Sequence, residues 1–191
     1  MTKGYAMNAV SADPVLHFEV YVLMTMRNRM ANKMDQLRAT LSRHGFTFEN
    51  AERVHQQLSE ALGGEATRYG ALTEALGSPA GATSSFGFSS VLWPNFDFEA
   101  KADDAGLLES ARYRHVRNRS DLPHSPRELA LWAVDVAEFT SHFGPMTAGQ
   151  QWPLFDALLP AYEEYEFEWE GGRYGAGFSW GLFMHAAEYW D

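Results

Sequence analysis

Asp135, Glu138 and His142 stand at steps of three and four, which puts three side chains on one face of a helix. Two carboxylates and an imidazole are suitable ligands for a divalent cation. The same face, however, lies opposite Leu129, Trp132, Ala133, Val136, Phe139 or Thr140, and Phe143. An amphipathic helix is polar there in any case, so the triplet reads first as solvated surface and only second as a metal site. His185 and Glu188, three apart, read first as a surface pair. The chain has no cysteine, which removes disulfides, thiol catalysis and cysteine-based zinc sites. No H-E-x-x-H, phosphate-binding loop, dinucleotide fingerprint or nucleophile elbow occurs. The expectation is therefore no catalytic residue, no metal and no cofactor, with an enzyme built on Asp135, Glu138 and His142 as the alternative.

A second set of carboxylates is more regular. Glu164, Glu166, Glu168 and Glu170 alternate with Tyr165, Phe167 and Trp169, and Gly171-Gly172 follows. The period of two predicts a strand with four acids on one side and three aromatic rings on the other. Gly-Gly between two such runs predicts a hairpin, because a type I′ turn needs positive φ at both central residues. A turn at Gly171-Gly172 pairs Glu170 with Arg173, Trp169 with Tyr174, Phe167 with Ala176 and Tyr165 with Phe178. One face is then aromatic, and on the other Glu168 and Glu166 oppose Gly175 and Gly177. Paired glutamates can do acid–base work on glycosides when one is buried in an apolar pocket. Glutamates in an open row instead read as a solvated face or as an acidic strip that meets a basic partner.

Charge placement favours the strip. The net charge is −10, and from Glu128 to Asp191 there are 11 acids and one base, Arg173. Residues 1–127 are neutral, with 14 of each sign. Such asymmetry steers association with something basic and argues against nucleic acid as a direct ligand of the acidic third. Asp97 and Glu99, in the alternating Phe96-Asp97-Phe98-Glu99, would extend the strip if both segments share a sheet. Arg112, Arg114, Arg117 and Arg119 cluster with Tyr113 and His115, a weak nucleic-acid signature that reads first as a solvated turn or as an internal partner for the acids. The expected function is non-enzymatic: an inhibitor, immunity or counter-defence protein that lays carboxylates on a basic, nucleic-acid-binding surface of a target. Expected binding residues are Glu164, Glu166, Glu168, Glu170, Asp97 and Glu99. A scaffold that self-associates through aromatic surface is the further alternative.

The elements that must position these groups follow from periodicity. Asp13-Pro14 opens a helix, and Leu23, Met26, Met30, Met34, Leu37 and Leu41 form its amphipathic stripe up to Gly45. A second helix, capped by Thr47 or Asn50, ends at Gly63-Gly64, and a third covers Glu65–Leu76. Residues 77–85 read as a connection between a helical lobe (14–77) and an α+β lobe (86–191) of one domain. Leu107–Val116, a run opened by the capping box Ser125-Pro126-Arg127-Glu128, and Leu154–Leu159 read as helical, and Leu182–Trp190 as a helix or a final strand, with helix the slightly better fit. The fold class is α+β: N-terminal amphipathic helices, then a small antiparallel sheet with helices packed on its aromatic face. Leu23, Met30, Met34, Leu37, Trp132, Val136, Phe167 and Trp169 are the expected core. The apolar run Val15–Met26 is too short to span a bilayer and contains Glu19. With no evident signal peptide, a cytoplasmic location is expected.

Overall fold

A computed structural model describes residues 13–62, 69–78, 84–118, 121–154 and 159–189. Helices come first and strands later, in the expected α+β order. The strands divide into two antiparallel sheets.

Helix α1, Pro14–Met26, begins as its sequence dictates. Asp13 Oδ1 accepts a hydrogen bond from the Val15 N–H at 3.0 Å, and proline occupies the first turn. Phe18, Val20, Tyr21, Val22, Leu23, Met24 and Met26 are all buried, so α1 is an internal helix and not an amphipathic one. The expected continuous stripe is interrupted: single 3-10 turns at Arg27–Arg29 and Ala31–Lys33 separate α1 from α2, Met34–Arg43. The break lets Lys33 Nζ reach the Met184 carbonyl at 3.0 Å. Met26, Met30, Leu37 and Leu41 are nonetheless core. Thr47 is the cap of α3, Phe48–Leu62, its Oγ1 accepting from the Asn50 N–H. Helix α4, Tyr69–Ala75, ends at Gly77, whose φ of +71° suits glycine. The expected stop at Gly63-Gly64, the start of the third helix, and residues 79–83 of the connection lie outside the described residues.

The first sheet holds β1 (Ser85–Ser89), β2 (Phe96–Ala102) and β3 (Leu108–His115) in sequence order. Phe96, Phe98 and Ala100 are buried while Asp97, Glu99 and Lys101 face outward, the alternation of a half-buried strand. Phe98 packs against Phe18 of α1 at 5.3 Å and against Tyr113 at 5.1 Å. The segment expected as a helix over Leu107–Val116 is thus β3. Its charged Arg112 and Arg114 stand opposite Glu99 and Asp97 in register, and cross-strand charge pairing outweighs its modest helical spacing.

The second sheet runs β4 (Thr147–Leu154), β5 (Leu159–Trp169), β6 (Gly172–Ser179) and β7 (Leu182–Glu188). The expected helix over Leu154–Leu159 is corrected here, and of the two alternatives for the last segment the strand is the one observed. Leu154 and Leu159 belong to strands, with 155–158 outside the described residues, and Leu182–Glu188 pairs with β6 along its length. A further correction concerns residues 126–143. The capping-box residues form only one 3-10 turn, Pro126–Glu128, and the helix proper is α5, Val136–Phe143, capped by Asp135. Between them Trp132 adopts φ +59° and donates its N–H to the Phe183 carbonyl at 2.8 Å. Pairing to β7 therefore takes that stretch out of the helix.

Two apolar clusters result. One joins α1–α4 to the first sheet, and the other seats α5 on the aromatic face of the second. Phe139 touches Phe167, Phe178 and Phe183 at 5.1, 5.5 and 5.6 Å. Of the expected core, Leu23, Met30, Leu37 and Phe167 are buried, while Met34, Trp132, Val136 and Trp169 are partly exposed. Among the described residues no helix is long and apolar enough to cross a membrane.

Candidate functional site

The β5–β6 hairpin turns one residue earlier than Gly171-Gly172 predicts. Glu170 and Gly171 take φ +49° and +83°, and the pairs are Trp169 with Gly172, Glu168 with Arg173, Phe167 with Tyr174, Glu166 with Gly175 and Glu164 with Gly177. Moving the turn by one residue moves every partner by two, so each side chain keeps its face. Glu164, Glu166 and Glu168 therefore do project from the face opposite Phe167, while Glu170 stands in the turn itself. Glu166, Glu168 and Glu170 are exposed, and Glu164 is half-buried.

What surrounds them was not evident from alternation. Glu164 Oε1 accepts from Tyr162 Oη at 3.2 Å, and Tyr162 Oη lies 3.5 Å from His185 Nε2. The Arg29 guanidinium sits over the Tyr162 ring, 4.3 Å from its centroid. The glycines opposite the glutamates make room for these rings. A Cβ on Gly177 would collide with Tyr162 Oη, and one on Gly175 would lie 2.9 Å from Tyr189 Oη. Burial raises the Tyr162 hydroxyl pKa, with Glu164 adding to the effect. Burial lowers that of His185, opposed by Glu164 and reinforced by Lys33 and Arg29. Farther along, Glu166 pairs with Arg173 at 3.3 Å and Glu170 with His124 at 2.9 Å, both at the surface.

Asp97 and Glu99 do not extend this strip, because they belong to the other sheet. Arg117 Nη2 contacts Asp97 Oδ1 at 2.5 Å, and Arg114 Nε contacts Glu99 Oε2 at 2.8 Å. The Arg117 hydrogen bond holds the Asp97 carboxyl below its usual range. Part of the arginine cluster thus serves as an internal partner of the acids.

Asp135 and Glu138 do not lie on the solvated helix face their spacing suggests, whereas His142 is exposed as expected. Asp135 is buried and precedes the helix. Its Oδ1 caps Glu138 N at 2.8 Å and its Oδ2 accepts from His115 N at 2.9 Å. The Glu138 carboxylate lies 2.5 Å from His115 Nδ1, while His142 Nε2 is 3.3 Å from the Pro123 carbonyl. These residues line an open cleft of about 580 Å³ between β3 and α5. Each carboxylate already serves a partner within the chain, and among the described residues no three histidines or carboxylates converge as a metal site.

Sequence reasoning missed His115 as the partner of α5 and missed Glu19. Glu19 is fully buried; its Oε2 accepts from Val91 N and Leu92 N at 2.9 and 2.8 Å. A carboxylate inside an apolar run was the available signal for Glu19, since such a group needs buried donors. Comparison with protein-family models, curated proteins and solved structures finds no match for this chain.

Proposed function

We propose that the protein is a non-enzymatic binder whose β5–β6 hairpin presents a row of carboxylates to a basic surface of another protein. The observation that carries this reading is the exposure of Glu166 and Glu168 on one face of β5 and of Glu170 in the turn that follows, with Arg173 as the single base of the acidic third. Alternate residues of a strand project about 6–7 Å apart. A surface built to hold nucleic-acid phosphates recognises such a row by charge more than by chemistry. The target class is therefore a nucleic-acid-binding protein, and the role is that of an inhibitor, as in immunity or counter-defence. The absence of cysteine suits a reducing compartment such as the cytoplasm.

Glu164 has a lesser part in this surface than the alternation alone suggests, since it serves Tyr162, and Asp97 and Glu99 are engaged by arginines. The test is titration with an oligolysine peptide at low and high salt. Binding that weakens steeply with salt and is lost when Glu166, Glu168 and Glu170 become glutamine supports the reading. Binding unchanged by those substitutions contradicts it.

A further inference from the structure

Two tyrosines on the face of the second sheet opposite α5 are built alike. Tyr162 Oη lies over Gly177, whose partner on β5 is Glu164, and Tyr189 Oη lies over Gly175, whose partner is Glu166. Each position combines a phenol ring, a bare glycine and a carboxylate. The first is complete: Tyr162 is 4% exposed, packed in the cluster of the N-terminal helices, and the Arg29 guanidinium lies over its ring. The second is open: Tyr189 is 42% exposed.

We propose that Tyr189 and Glu166 form the anchoring site for an arginine side chain of the basic partner, reproducing what Arg29 does at Tyr162. This rests on the acidic-strip reading and specifies its ligand. A guanidinium can stack on a ring and bridge a carboxylate at once, whereas a lysine ammonium is a strongly hydrated point charge. Arg173 stands beside the site, its Nη2 3.3 Å from Glu166 Oε2. Both partners of that pair are at least half exposed, so an incoming guanidinium displaces Arg173 at small cost.

The experiment compares a hexa-arginine with a hexa-lysine peptide on the whole protein at low salt. Hexa-arginine should bind about two- to fivefold more tightly, the range of one exposed cation–π contact. Tyr189→Ala should abolish the preference, Tyr189→Phe should keep it, and Arg173→Gln should strengthen hexa-arginine binding. In the unmodified protein, the ring-proton resonances of Tyr189 should shift on adding hexa-arginine, which needs no variant to fold. Equal affinities, a preference that survives Tyr189→Ala, or unshifted Tyr189 signals overturn the arginine site while leaving the strip intact. Failure of both peptides to bind overturns the strip reading itself.

Discussion

His115 on β3 and Glu138 on α5 meet at 2.5 Å between Nδ1 and Oε2, and both side chains are largely buried, at 4% and 13% exposed. The contact joins the first sheet to the helix that covers the second. Hydrogen bonds to charged groups contribute more than neutral ones, and a buried group left without its partner costs about 1–3 kcal/mol. Glu138→Ala should therefore destabilise by about 1–3 kcal/mol in urea denaturation, with Glu138→Gln milder because it can still accept from the ring. A loss below 0.5 kcal/mol for the alanine variant, as an order-of-magnitude threshold, would mean that the contact does not join the layers.

Glu19 makes a pH-dependent contribution. Burial raises its pKa, and the hydrogen bonds from Ser90, Leu92, Val91 and Tyr113 oppose that shift without cancelling it. At low pH the carboxyl is protonated in both folded and unfolded chains. As pH rises through the ordinary carboxylate range the unfolded chain releases its proton first, so stability falls until the folded group also ionises. Stability curves of the parent and of Glu19→Gln, measured by denaturant from acid to neutral pH, should diverge. The parent should lose ground relative to the variant as pH rises. A difference that stays constant or grows in the parent's favour would show that the hydrogen bonds cancel or outweigh burial.

Gly171 and Gly181 have nearly the same backbone, φ +83° and +82°, at two hairpin turns. Their surroundings differ. A Cβ on Gly171 meets open space, whereas one on Gly181 would lie 2.8 Å from the Tyr113 carbonyl oxygen and 3.1 Å from Arg112 Cβ. The second turn is also docked, with the Tyr113 N–H donating to the Trp180 carbonyl at 2.7 Å. Alanine at either position incurs the left-handed strain of about 1–2 kcal/mol. Gly181→Ala should cost a further ~1–3 kcal/mol, because backbone must move to admit the methyl. Equal thermal shifts for the two variants would contradict the docked geometry.

Much of the hairpin was legible because period-two alternation and a glycine pair are local signals. The position of its turn was not, since turns at 170–171 and 171–172 leave every side chain on the same face; Glu170 accepts a positive φ in the observed one. The spacing of β3 reads as helical and that of β7 as either helix or strand, because pairing at a sheet edge, not spacing, decides both. Asp135, Glu138 and His142 share a helical spacing, yet Asp135 is a cap and His115, twenty residues earlier, supplies the partner. Contacts between distant segments, such as Arg29 over Tyr162, left no mark in local periodicity.

The most direct test of the acidic hairpin is oligolysine affinity, followed against salt, for three forms of the protein. One is the parent, one carries Glu166, Glu168 and Glu170 as glutamine, and one carries the same substitution at Glu49, Glu60 and Glu74, which are exposed on α3 and α4. Both variants lose the same charge. If the hairpin is the binding surface, the first variant should bind at least about tenfold more weakly with a shallower salt dependence, mainly through slower association. The second should resemble the parent. Equal weakening of the two would mean that only net charge matters, and would contradict a binding surface on β5 and β6.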